Sequence, residues 1–355
     1  MNYEKILKLE PFGITQAEKE SLFLGELTKL IEFHRKNCEK YNKILQTFGY
    51  ESAQSVSDLP FLPARIFKES ELISVPKEEI FKTMTSSGTT GQKVSKIFLD
   101  RDTAANQQKT LTRIVSNFTG KNRLPMIIID SPSVIKNRAM FSARGAGILG
   151  FSIFARKKIF ALDENMNLNF SVLKEFISEH KNEKIILFGF TFMIWQYFYK
   201  ALKSIGENLF MKDAILIHGG GWKKLANEKV SSMEFKAALK DVCGNIAVSD
   251  YYGMVEQTGC IYMECEKGHL HASTYSDIII RKPHDFSVCN IGENGIIQVI
   301  SLLPKSYPGN LILTEDEGEL LGIDNCPCGR KGKYFRVNGR IKNAEIRGCS
   351  DTFNR

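Results

Sequence analysis

Two different periods of apolar residues run along this chain. Near the N-terminus, Thr15 and Glu18 have the spacing of a capping box. The helix they open carries Leu27, Leu30, Ile31 and His34 on one face, which predicts an amphipathic helix. The proline-punctuated run Asp58-Leu-Pro-Phe-Leu-Pro-Ala-Arg reads as a crossing loop that fixes entry to the next element. Short apolar runs at 126–129, 185–188 and 214–217 have the look of buried strands, with helical pattern between them at 173–180 and 192–202. Strands alternating with helices predict an α/β fold with a largely parallel sheet. From about Ile278 the texture changes: Gly292, Gly295, Pro304, Pro308 and Gly309 punctuate β-rich runs at 295–302 and 310–314. A β-rich subdomain over about 278–340 is expected there. No internal repeat or low-complexity tract interrupts the pattern.

The chain has 355 residues, and its 43% hydrophobic and 25% charged content is that of a globular protein with a sizeable core. The net charge of +8 is spread along the chain without a basic block. That argues against a nucleic-acid partner and fits anionic substrates only weakly. The longest apolar stretch, 185–195, is too short to span a bilayer and is interrupted by Gly189 and Thr191. The N-terminus does not read as a signal peptide, so a cytoplasmic protein is expected. Its eight cysteines are then thiols, metal ligands or nucleophiles rather than a disulfide framework.

The densest chemical signal is Thr85-Ser86-Ser87-Gly88-Thr89-Thr90-Gly91-Gln92-Lys93. Glycines let the backbone turn its N–H groups inward, and hydroxyls donate to phosphate oxygens, so this composition suits a loop around phosphate. It lacks the spacing of a Walker A loop. The segment resembles the phosphate-binding signature of the adenylate-forming superfamily, which includes acyl-CoA synthetases and phenylacetate-CoA ligases. The resemblance implies ATP as substrate, Mg²⁺ as cofactor and an acyl-AMP product. The lysine that closes the family signature has only shifted counterparts in Lys93 and Lys96.

Three later segments follow in the order that superfamily requires. Tyr251-Tyr252-Gly253-Met254-Val255-Glu256 resembles its aromatic-Gly-x-x-Glu motif, which implies that Tyr251 or Tyr252 borders adenine and that Glu256 helps hold Mg²⁺. A carboxylate suits a hard cation bridging phosphates. In Leu313-Thr314-Glu315-Asp316, Asp316 matches the aspartate that binds the ribose hydroxyls, and Glu315 stands where a glycine is usual. Gly339-Arg340 resembles the hinge pair whose arginine reaches the nucleotide. Gly219, Gly220, Gly221 and Trp222 follow an apolar strand, where open α/β sheets bind ligands. By position they resemble the segment along adenine; the other reading is a tight turn with Trp222 in the core. Phe188, Phe190, Phe192, Met193 and Trp195 either line an apolar acyl pocket or are plain core.

Only 15 residues follow Arg340, since 355 − 340 = 15, so the mobile C-terminal domain of the standard ligases is expected to be absent. The tail from Ile341 to Asp351, the Asp130-Ser-Pro-Ser segment, the Ser142-to-Phe151 segment and His218-Gly-Gly-Gly-Trp-Lys resemble the acyl-protein synthetase (LuxE-like) family of bacterial bioluminescence. That resemblance implies activation of a fatty acid as acyl-AMP, transfer to the protein's own cysteine, and delivery to a partner acyl reductase. Cys349 is the matching residue, and Arg347 nearby would lower its pKa. Lys223 and Lys342 are candidates for the cation that the C-terminal domain otherwise supplies. Two other functions remain open on the sequence: a ligase delivering to coenzyme A or a carrier protein, and a non-catalytic nucleotide-binding subunit of a reductase complex.

Cys265, His271, Cys326 and Cys328 form two short pairs, the pattern of a structural Cys₃His zinc site, with Cys260 and His269 as alternative ligands. The Cys-Pro-Cys-Gly-Arg run resembles a segment of phenylacetate-CoA ligase-like proteins, some of which hold structural zinc.

Overall fold

A computed structural model describes residues 3–86, 93–136, 143–222 and 228–341. They fall into two compact units. Among the described residues the first unit comprises 3–86, 93–115 and 253–341, and the second comprises 116–136, 143–222 and 228–252.

In chain order the first unit contributes β1 (Leu62–Pro63), β2 (Lys82–Thr85) and β3 (Lys96–Leu99). The second contributes β4 (Leu124–Ile129), β5 (Ala155–Phe160), β6 (Ile185–Phe190), β7 (Met211–Gly219) and β8 (Gly244–Tyr252). The chain then returns to the first unit for β9 (Tyr262–Glu264), β10 (Leu270–His271), β11 (Ser276–Arg281), β12 (Asn294–Ser301), β13 (Leu311–Ile323) and β14 (Lys333–Arg340). The fold is α/β, with a parallel sheet in the second unit and mainly antiparallel strands in the first.

In the second unit the strands run parallel in the order β8-β7-β6-β4-β5. All six residues of β6 are buried, as expected of a central parallel strand covered on both faces. The predicted strands at 126–129, 185–188 and 214–217 are the buried parts of β4, β6 and β7. The predicted helices are there as well. One is Phe170–Glu179, with Leu173 and Phe176 buried. The other begins at Thr191, passes through a π-helical stretch Ile194–Tyr199 and ends at Ile205. Ser231 and Glu234 build a capping box that opens the helix Ser232–Cys243.

The first unit is antiparallel in the order β11-β12-β13-β14-β10-β9, with β1 parallel to β13 and β2 and β3 forming a hairpin. The capping box at Thr15 and Glu18 is present, and the helix it opens runs Gln16–Asn37 with Leu27, Leu30, Ile31 and His34 buried. Inside the proline-rich crossing segment, Leu62 pairs with Ile312 as part of β1. No helix among the described residues is long and apolar enough to cross a membrane.

Candidate functional site

Strand ends place most of the candidate residues. In the second unit, Phe190, Gly219 and Tyr251 are register partners across β6, β7 and β8, one row at the C-terminal edge of the parallel sheet. That edge is where open α/β sheets bind ligands. Gly219 lies directly under the Tyr251 ring: a Cβ there would stand 2.7 Å from a ring carbon. Beyond it Gly220 takes φ +77°, a conformation that favours glycine, so the chain can turn sharply off the strand. Tyr251 meets Phe151 at a tilt of 36° (5.3 Å between centroids), and Phe151 stacks on Phe188 at 4.2 Å. Of the tyrosine pair, Tyr251 is the one seated on the glycine edge. Trp222 is half-buried and meets Trp195 and Phe235 edge to face. Phe188, Phe190, Met193 and Trp195 are buried, and Phe192 is half-buried.

In the first unit, β2 and β3 bring the two ends of the hydroxyl-rich loop together. Thr85 closes β2, the Ser86 N–H donates to the Ser95 carbonyl at 3.1 Å, and the Ser95 N–H donates to Ser86 Oγ at 2.9 Å. Ser87, Gly88, Thr89, Thr90 and Gly91 lie outside the described residues. Lys93 is exposed, and Lys96 pairs with Glu71 at 3.4 Å.

Glu256 is buried on a short 3₁₀ turn, Val255–Gln257, that follows the exposed Gly253. The turn is pinned from below. Tyr307 donates its hydroxyl to the Glu256 carbonyl at 2.8 Å, and Gln257 Nε2 donates to the carbonyls of Val299, Gly309 and Asn310. These bonds fix the backbone from which the Glu256 carboxylate projects, and a carboxylate is a suitable ligand for a hard cation.

Asp316 and Arg340 are register partners on β13 and β14, with Arg340 Nε 3.4 Å from Asp316 Oδ1 and Nη2 3.8 Å from Glu315 Oε2. Thr314 Oγ1 accepts from the Asp316 N–H and donates to the Ile297 carbonyl, which holds Asp316 in place. The glutamate that replaces the usual glycine therefore shares the arginine with Asp316. Cys349, Arg347, Lys223 and Lys342 lie outside the described residues.

The Cys/His cluster is assembled from β9, β10 and the loop between β13 and β14. The ligand atoms of Cys265, His271, Cys326 and Cys328 all lie within 4.8 Å of one another. The Cys265 and Cys326 sulfurs are 4.0 Å apart, and Cys328 Sγ is 3.4 Å from His271 Nε2. A tetrahedral ion with Zn–S bonds of about 2.3 Å needs edges of about 3.8 Å, so the set fits such an ion with little movement. The Lys267 N–H donates to Cys265 Sγ, and His271 Nδ1 is buried without a hydrogen bond. Burial, with Arg330 nearby, pushes His271 down to about 4, so its ring is neutral as a ligand must be. Of the alternative ligands, His269 borders the cluster, with Nδ1 3.3 Å from Cys326 Sγ. Cys260 instead accepts from Ser301 Oγ and donates to the Tyr275 carbonyl.

The role of Thr191 escaped the sequence: its hydroxyl reaches the Gly220 carbonyl from 29 residues away in the chain, so no local motif marks it. The motif residue His218 lies behind the glycine turn beside it, and Glu315 lies 3.8 Å from Arg340.

The fold is similar to that of a CoA ligase. A crystal structure of 2-hydroxyisobutyryl-CoA ligase in complex with 2-HIB-AMP and CoA superposes with TM-score 0.71 at 15% identity, covering 93% of this chain and 71% of that one. A second structure of that enzyme, in the thioesterification state, gives 0.70 at 17% identity, covering 94% and 70%. The chain belongs to the acyl-protein synthetase LuxE family, whose model matches residues 2–355, and it is thereby a ligase. Its relatives include the long-chain-fatty-acid–luciferin-component ligase of Aliivibrio fischeri, 24% identical over 338 residues, 90% of this chain and 84% of that protein. The protein of the same name from Vibrio harveyi is 19% identical over 346 residues, again 90% and 84%.

Proposed function

We propose that this enzyme activates a long-chain fatty acid with ATP and passes the acyl group to a cysteine thiol for delivery to a partner acyl reductase. The family match across residues 2–355 carries this reading, and the row Phe190, Gly219, Tyr251 supports it by lying at the sheet edge where open α/β folds bind ligands.

In the first step a carboxylate oxygen attacks the α-phosphorus of ATP, the bond to the β-phosphate bridge breaks, and pyrophosphate leaves. The carboxylate is already ionised, so positioning and charge neutralisation do the work. Thr85, Ser86 and the loop residues through Gly91 hold the phosphates, Tyr251 borders the base, and Asp316 with Arg340 engages the ribose side. Glu256 would hold Mg²⁺, which offsets the phosphate charge. In the second step the Cys349 thiolate attacks the acyl carbonyl, the bond to AMP breaks, and AMP departs with the electron pair. The same reading places the enzyme in the cytoplasm, where thiols stay reduced.

Intact-protein mass after incubation with Mg-ATP and a panel of fatty acids, with Cys349→Ser alongside, tests the proposal. A hydroxylamine-sensitive acyl adduct on the wild type alone is expected. AMP and pyrophosphate without an adduct would move the acceptor to coenzyme A or a carrier protein. No pyrophosphate with any acid would leave a non-catalytic nucleotide-binding subunit.

We further propose that Cys265, His271, Cys326 and Cys328 hold a structural Zn²⁺. Four protein ligands leave no open position for water, so the ion would fasten the β13–β14 loop to β9 and β10 rather than take part in the chemistry.

A further inference from the structure

The segment that follows β6 grips the glycine turn at both ends. Thr191 is buried immediately after Phe190. Its hydroxyl lies 2.7 Å from the Gly220 carbonyl oxygen, 3.3 Å from that of Gly219 and 3.0 Å from His218 Nδ1. A hydroxyl has one proton to give. Donated to Gly220, the nearest acceptor, it leaves the Thr191 oxygen to accept from His218, so the imidazole carries its proton on Nδ1. Asp250 Oδ1, 3.6 Å from the same nitrogen, favours the same tautomer. Burial, with Lys236 adding to it, pushes His218 down to about 3, and the ring stays neutral.

At the far end of the turn Trp222 meets Trp195 at 5.4 Å, edge to face. Trp195 sits in the π-helical stretch Ile194–Tyr199 and stacks on Tyr199 at 4.6 Å. Such stretches are rare and recur at functional sites. One continuous segment thus fixes the carbonyls at the start of the turn and the aromatic that closes it.

We propose that Thr191 is the positioning residue for the nucleotide base: its hydroxyl sets the shape of the Gly219–Gly221 turn, and the base binds against the turn so fixed. This rests on the nucleotide reading given above. Thr191→Val keeps the volume and removes the hydrogen bonds, whereas Thr191→Ser keeps them.

Trp195 and Trp222 are the only tryptophans of the chain, so intrinsic fluorescence reports directly on this clamp. The test titrates Mg-ATP and AMP into wild type and variants, read by fluorescence and calorimetry, beside steady-state kinetics. Loss of a buried hydrogen bond predicts affinity for both nucleotides about tenfold weaker in Thr191→Val, with Thr191→Ser within about threefold of wild type. KM for ATP rises while KM for the fatty acid stays, a split that general loosening of the fold would not give. If Thr191→Val does not fold, Thr191→Ala carries the same test, since it leaves room for water. Thr191→Val binding nucleotide within twofold of wild type overturns this proposal alone. A wild type that binds neither ATP nor AMP overturns the nucleotide reading and this proposal with it.

Discussion

Asp316 and Arg340 face each other across β13 and β14, with the guanidinium Nε 3.4 Å from the carboxylate. They stand 24 residues apart in the chain, 340 − 316 = 24, and the loop between them carries Cys326 and Cys328. Both side chains remain partly exposed, at 21% and 33%. An ion pair this open contributes about 1 kcal/mol or less to folding. Asp316→Asn should therefore leave the thermal midpoint nearly unchanged. If Asp316 engages the ribose, the same substitution should lower fatty-acid-dependent ATP–pyrophosphate exchange by about a hundredfold, the scale of about 2.7 kcal/mol. Differential scanning fluorimetry and isotope exchange on one sample check both halves. Unchanged exchange would remove Asp316 from the site.

Gly219 makes a steric prediction. A Cβ at this position would lie 2.7 to 3.0 Å from three atoms of the Tyr251 ring. The ring must move for Gly219→Ala to fold, and it is already packed against Phe151. Overpacking of this kind costs about 1–3 kcal/mol. KM for ATP should rise, and Gly219→Ala combined with Tyr251→Ala should destabilise by less than the sum of the two single substitutions, because without the ring the added methyl meets no clash. Chemical denaturation of the single and double variants measures the coupling; strictly additive effects would contradict the packing described here.

The Gly219 contact also shows what the sequence did and did not reveal. The glycine run after an apolar strand marked the sheet edge in advance, because both signals are local. Likewise the capping box at Thr15 and Glu18 and the buried cores of β4, β6 and β7 follow from short-range pattern. β5 did not read as a strand: Arg156, Lys157 and Lys158 are exposed on it, as suits a strand at the sheet edge. The choice between Tyr251 and Tyr252 could not be made from spacing, since it depends on which ring crosses to β7. The same holds for the metal ligands. Cys260 and His269 stood as alternatives to Cys265, His271, Cys326 and Cys328, and how closely the four approach depends on β10 lying between β9 and β14, a pairing that spacing does not reveal.

His34 is buried between Ser74 and Asn310, with Nδ1 2.8 Å from Ser74 Oγ and Nε2 2.9 Å from Asn310 Oδ1. Asn310 donates its amide to the carbonyls of Ser301 and Pro304, so its oxygen faces His34 and Nε2 is the protonated nitrogen. Burial pushes His34 down to about 4, against the Asn310 bond, which raises it. The unfolded chain, with histidine near 6.5, therefore binds the proton more readily than the native one. The stabilisation is complete above pH 6.5 and is lost as pH falls toward 4. His218, pushed down to about 3, acts in the same direction. Each buried histidine should contribute a slope of about 1.4 kcal/mol per pH unit within its window. Urea denaturation between pH 7.5 and 5 should show stability falling on acidification, with a shallower fall in His34→Gln. An equal slope in that variant would exclude His34 as a source.

The metal proposal is decided by stoichiometry and by which thiols matter. One zinc per chain is expected on elemental analysis of protein purified without chelator. Cys328→Ser and Cys265→Ser should lose the metal, since each removes a ligand and leaves the remaining thiols close together. Cys260→Ser should keep it, because Cys260 is committed to Ser301 and Tyr275. Stripping the ion with a chelator should lower the thermal midpoint, because it frees the β13–β14 loop between Asp324 and Lys333. Asp324 would still clamp that loop, accepting from the N–H groups of Gly332 and Gln16. The loss should therefore be partial and reversible on adding Zn²⁺. Midpoints identical with and without chelator, in protein shown to contain no metal, would make the cluster four packed side chains and nothing more.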